Sequence, residues 1–140
     1  MNQESFTVWM QQLASAWEMG DAQAAADLFS ARVHYQENPF DPPLCEREAV
    51  RRYWQEMLAE QADVAVSFEV LAVTDGRAVV NWQALYTDVK TGEQVIVNGV
   101  SVGTFDGEGL CERWLEWWHK QYVPLENFAQ VSGHKRSHSL

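Results

Sequence analysis

Apolar residues recur at three- and four-residue steps through the first part of this chain and alternate with polar ones through the rest. Phe6, Trp9, Met10, Leu13 and Trp17 fall on one side of a helix. Gly20 ends that helix, and Asp21 is placed to cap a second one running through Ala24, Ala25, Leu28 and Phe29. Val33-His-Tyr-Gln-Glu37 reads as a short strand. Asn38-Pro-Phe-Asp-Pro-Pro-Leu44 cannot be regular structure, because proline lacks the N–H donor that helices and ladders need. A third helix is predicted from about Glu46 to Gln61, with Val50, Tyr53, Trp54, Met57 and Leu58 on one side.

Beyond it the period becomes two. Val64–Val73, Ala78–Val89, Gln94–Phe105 and Gly109–His119 read as strands, separated by the hairpin signals Asp75-Gly76, Thr91-Gly92 and Asp106-Gly107. Helices followed by a run of strands predict an α+β fold, with the helices on one face of a mainly antiparallel sheet. Three helices cover only one face. Yet Leu85, Leu115 and Trp117 lie on faces opposite Trp82, Trp114 and Trp118, so large apolar groups remain wherever the helices pack. A homodimer through the outer sheet face is therefore expected.

The last of these strands carries the candidate chemistry. Alternation puts Glu112, Trp114, Glu116 and Trp118 on one face and Leu115, Trp117 and His119 on the other. An ionised acid between indoles is uncommon unless it is partnered. Either this face lines a pocket in which Glu116 acts, or Glu116 pairs with an arginine or meets water at the sheet rim.

Bulk properties narrow the function classes. A chain of 140 residues is long enough for one domain burying roughly 68% of its unfolded surface. Residues 1–125 are assigned to that domain, and the polar stretch 126–140 is expected to be a disordered tail. Acids outnumber bases 20 to 10, a net charge of −10, which argues against nucleic acid or an anionic membrane as partner. No apolar run approaches the ~20 residues that span a bilayer. Two isolated cysteines, Cys45 and Cys111, and no basic-then-apolar leader point to the cytoplasm. No histidine–carboxylate spacing suggests a metal site and no glycine-rich loop a phosphate, so no cofactor is expected.

The order of elements resembles the nuclear-transport-factor-2-like superfamily, and within it the SnoaL-like branch. The resemblance covers about residues 5 to 120. Trp17-Glu-Met-Gly-Asp21 looks like the break between the first two helices, Asn38-Pro-Phe like the exit from the first strand, and Ala49-Val-Arg-Arg-Tyr-Trp54 like the third helix. Arg113-Trp-Leu-Glu-Trp-Trp118 is similar to the family's final strand. The resemblance implies a strongly curved sheet forming a cone around an internal pocket, with many members dimerising through the outer sheet face. It hosts isomerases, cyclases, epoxide hydrolases, dehydratases and plain binding modules, so it does not by itself assign an activity. Among the epoxide hydrolases, Tyr35-Gln-Glu37 and Trp114-Leu-Glu-Trp-Trp118 match two catalytic places, with Glu37 where an Asn stands and Glu116 where the catalytic Asp stands. Their Arg-x-Asp pair has no counterpart in Val80-Asn-Trp-Gln-Ala-Leu85, and the first helix lacks the tyrosine of the ketosteroid isomerases.

If the inward face follows this resemblance, Tyr35, Glu37 and Glu116 share a cavity walled by Trp54, Phe68, Trp82, Trp114 and Trp118. Two carboxyls in an apolar pocket repel, so at least one should titrate near neutrality and serve as general acid or base. Tyr35 would then donate to a developing oxyanion, and Asn98 would fix a substrate carbonyl. The ligand is expected to be a small apolar or amphipathic molecule. Three readings stay open: a cofactor-independent isomerase, cyclase or hydratase-like enzyme, a small-ligand-binding module, and a structural dimerisation domain whose cone is filled by its own tryptophans.

Overall fold

The structure, a computed structural model, describes residues 1–123, so the stretch 126–140 read as a tail lies outside the described residues, as does the end of the domain at 125. Helix α1 (Gln3–Met19) is followed by α2 (Ala22–Ala26), strand β1 (Phe29–Gln36), α3 (Arg47–Ala59) and strands β2 (Gln61–Thr74), β3 (Arg77–Asp88), β4 (Gln94–Phe105) and β5 (Cys111–Val123). The five strands form one curved open sheet in the order β1-β5-β4-β3-β2. Its hairpin pairs are antiparallel, and β1 joins β5 in parallel.

Local chemistry sets the boundaries. Asn2 and Ser5 form a reciprocal capping box at the start of α1, and Gly20 takes the left-handed conformation that closes it. Asp21 accepts from the Ala24 amide and starts α2. That helix stops at Ala26, so Leu28 and Phe29 are not helical as expected; Phe29 opens β1, where it is fully buried against Trp9 and Trp114. Asp75 and Gly76 both have positive φ, 49° and 74°, the mirror-image turn that suits a twisted hairpin. In the β4–β5 connection the left-handed residue is Gly109 rather than Gly107, and the Asp106 carboxylate accepts from the Glu108 and Leu110 amides.

The helices pack on the inner face of the sheet. Phe6 and Trp9 of α1 meet Phe105, and Trp9 meets Trp114 at 5.2 Å between ring centres. Edge-to-face and tilted contacts of this kind strengthen an aromatic core beyond the area it buries. At the other end of α1, Trp17 contacts Trp54 and Trp82. Trp82 packs directly onto Gly99: a Cβ there would sit 2.5 Å from the indole.

A bulge on β5 changes which residues face the core. Thr104 pairs with Arg113 but Phe105 pairs with Cys111, leaving Glu112 as the extra residue. Cys111 and Trp114 are therefore buried while Glu112 is exposed, so Glu112 does not share the inward face with Trp114 as expected. On the outer face Leu85 is fully buried, contrary to the expectation that it remains open. Trp117 is 48% exposed there, beside the partly exposed Val100 and Leu115. Among the described residues, no helix is long and apolar enough to cross a membrane.

Candidate functional site

A cavity of about 130 Å³ opens between the helices and the inner sheet face. Its wall is built by Met10, Leu13, Ala14 and Trp17 of α1, Tyr53, Trp54 and Met57 of α3, and Trp82, Tyr86 and Val97 of the sheet. Gln61 and Val66 of β2, Tyr35 of β1, and Trp114, Glu116, Trp118 and Lys120 of β5 complete the lining. The volume is close to that of cavities that hold a single benzene ring, so the indoles crowd the cone without filling it.

Glu116 reaches this space because it follows Trp114 by two residues on β5, beyond the bulge, where alternation is regular again. The Tyr35 hydroxyl donates to its Oε1 at 2.9 Å, and the Trp114 indole N–H donates to the same oxygen at 2.8 Å. Tyr35 in turn accepts from the Trp54 indole N–H at 3.2 Å. No base among the described residues pairs with Glu116; their ion pairs are Arg51 with Glu48 and Lys90 with Glu60. The carboxyl is thus held by neutral donors, and its named hydrogen bonds all fall on Oε1. Oε2 accepts no hydrogen bond among the described residues.

Burial pushes the Glu116 carboxyl up from its ordinary 4.5 to about 7. The Trp114 and Tyr35 donors act against that rise, and the charge of Glu37 adds a smaller push upward. Burial, and then the negative charge of Glu116, holds the Tyr35 hydroxyl well above the usual phenol value. Tyr53 is raised for the same two reasons. Both phenols stay protonated at any physiological pH, and Tyr35 spends its proton on Glu116.

The structure brings together Tyr35, Trp54, Trp82, Trp114, Glu116 and Trp118, and separates the other expected residues from them. Glu37 lies past the end of β1, in the bend that opens the proline-rich loop, and is not part of the wall. Two carboxyls in one cavity are therefore not present; Glu37 acts on Glu116 only through its field. Phe68 is buried in the core on the same sheet face without reaching the cavity. Asn98 is exposed on the opposite face, where it accepts from Asn81 and donates to Gln83, so it cannot hold a substrate carbonyl in the pocket. Tyr35 is also not free for a substrate oxyanion, because its one proton is engaged with Glu116.

Tyr53, Tyr86 and Lys120 also line the cavity, and the residue pattern does not single them out. Tyr53 stands beside Trp54 in the apolar stripe of α3 and was legible only as packing. Lys120 is the next inward residue after Trp118 and lies past the strand end expected at His119. Cys111 is buried, its thiol raised by burial and donating to the Arg113 carbonyl, which suits a packing role.

The family described as "SnoaL-like domain" matches residues 10–117. No curated protein matches the chain in sequence. Among solved structures, the fold is similar to that of the epoxide hydrolase/cyclase-like enzyme SalBIII, described as having a role in pyran ring formation in the polyether salinomycin. The two share 18% identity at a TM-score of 0.75, over 88% of this chain and 100% of that one.

Proposed function

The chain belongs to the SnoaL-like domain family, and from that footing we propose that it is a cofactor-independent acid–base enzyme acting on a small, mostly apolar molecule. Glu116 is its proton-transferring group. The observation that carries this reading is the Glu116 carboxyl in an apolar cavity, fixed through Oε1 by Tyr35 and Trp114, with Oε2 left for the substrate.

A carboxyl that titrates near pH 7 is half ionised at neutrality, which suits it to take a proton and return it. In this reading the ionised Oε2 removes a proton from an activated carbon or from an attacking hydroxyl. Tyr35 and Trp114 hold the carboxylate in position and carry part of its charge. Tyr53, whose hydroxyl makes no hydrogen bond among the described residues, donates to the oxygen on which negative charge develops. Isomerisation, intramolecular cyclisation and hydration all need such a group. The pyran ring formation named for SalBIII is of the second kind.

A substrate-independent readout tests this. Wild-type protein in D2O should exchange the α-protons of small ring ketones faster than buffer does, and Glu116→Gln should lose at least a hundredfold of that rate. Equal rates for the two proteins, with a ring ketone shown to bind both, would leave the binding-module reading in its place.

The protein is also proposed to form a homodimer through the outer sheet face, supported by the exposed Trp117 beside Val100 and Leu115. A cytoplasmic setting is proposed on the exposed, free Cys45 thiol, which suits a reducing compartment.

A further inference from the structure

Lys120 is the one basic side chain lining the cavity among the described residues; the other ionisable groups there are Glu116 and the phenols of Tyr35, Tyr53 and Tyr86. It is the next inward residue of β5 after Glu116 and Trp118, and stands opposite Val97. Four residues of strand put its backbone on the order of 13 Å from that of Glu116. Neither ion pair of the described residues uses its ammonium, and its positive charge acts on the nearby Tyr86 hydroxyl, against the rise that burial gives that phenol. Between this polar end and Glu116 the wall is indole and aliphatic, from Trp82, Trp118 and Val97.

A cation at one end, a proton-transferring carboxyl at the other and apolar wall between them describe the ligand by complementarity. We infer that the pocket takes a small ionised carboxylic acid, with its carboxylate on Lys120 and Tyr86 and its ring or short chain among the indoles. The inference rests on the pocket reading above and narrows it to amphipathic monoanions. A single ammonium neutralises one charge, so a carboxylate fits better than a doubly charged phosphate, whose surplus charge would share the cavity with Glu116. The cavity volume of about 130 Å³ limits the apolar part to about one ring. The chain as a whole carries −10 and repels anions, so any preference for a charged ligand must come from a local cation.

Calorimetric or tryptophan-fluorescence titration with 3-phenylpropanoate and its uncharged amide, at pH 7.5 and low salt, tests this. The acid is expected to bind at least threefold tighter than the amide. That preference should disappear in Lys120→Met and survive in Lys120→Arg and in Glu116→Gln. Should Lys120→Met fail to fold, Lys120→Gln serves the same comparison. Equal binding of acid and amide by the wild type, or a preference that persists without the lysine, overturns the inference and leaves the acid–base reading standing. If neither compound binds, the pocket reading falls and this inference with it.

Discussion

Tyr35 stands opposite Trp114 in the parallel β1–β5 pairing, yet its hydroxyl reaches two residues further along β5 to hydrogen-bond Glu116 at 2.9 Å. The offset lets Trp114 and Tyr35 approach one carboxyl oxygen from different strands. Trp54 backs the phenol from α3, so three elements fix the acid.

Tyr35→Phe removes a donor to Glu116 and leaves the buried Trp54 N–H without its acceptor. Loss of an acceptor from a buried donor costs about 1–3 kcal/mol, which urea denaturation will read. The Tyr35 hydrogen bond holds the Glu116 carboxyl down, so its loss raises that carboxyl further. The alkaline shift is expected in the pH midpoint of ketone exchange. An unmoved midpoint would show that the phenol does not tune the acid.

Glu116 also makes stability depend on pH. Its folded value, about 7, is above its ordinary 4.5, so the native state binds the proton more tightly than the unfolded chain does. That contribution is fully present below about pH 4.5 and is lost as pH rises through about 7. Glu116→Gln cannot ionise and escapes the loss. Between pH 5 and pH 8.5 its Tm should gain roughly 10 °C on the wild type, for about 2.5 kcal/mol. Parallel Tm curves across this range would contradict the burial assigned to the carboxyl.

Gly99→Ala places a methyl group 2.5 Å from the Trp82 ring, with the Trp117 carbonyl 2.9 Å away on the backbone side. Neither neighbour can yield cheaply. A loss of about 1–3 kcal/mol is expected, together with weaker ligand binding as the Trp82 wall is displaced. Asn98→Ala, one residue away on the outer face, should change neither binding nor exchange. This pair of neighbours separates the two faces of β4 in one experiment.

Trp117→Lys places a charge on the outer face, where the dimer is proposed. Light scattering at micromolar concentration should give a dimer for the wild type and a monomer for the variant. A wild-type monomer would remove the dimer proposal.

Much of this molecule was legible in its residue pattern, and the failures share physical causes. The helical stripes and the shared face of Trp114, Glu116 and Trp118 follow from periodicity, the Asp75-Gly76 turn from its residue types, and the inward direction of that face only from the family resemblance. Glu112 was misplaced because a bulge inserts one residue into β5, and nothing in Cys111-Glu-Arg113 announces it. Asn98 was misplaced because both faces of β4 are apolar: Val95 and Val97 point inward, Ile96 and Val100 outward, so alternation gives no sign of direction. Glu37 was misplaced because β1 ends one residue earlier, before the prolines. Tyr53 carries both packing and hydrogen-bonding chemistry in one side chain, and a helical stripe reports only the first.

The sheet order places β5 between β1 and β4, so the last of the described strands is an interior one. Glu116 and the tyrosine that positions it are 81 residues apart. A growing chain thus possesses the helices and six of the eight aromatic residues of the wall before β5 begins. Closing so long a loop is a late and entropically costly event. The Glu116 carboxyl takes its place only when β5 has been made and inserted between β1 and β4, which ties the assembly of the cavity to the closing of the sheet.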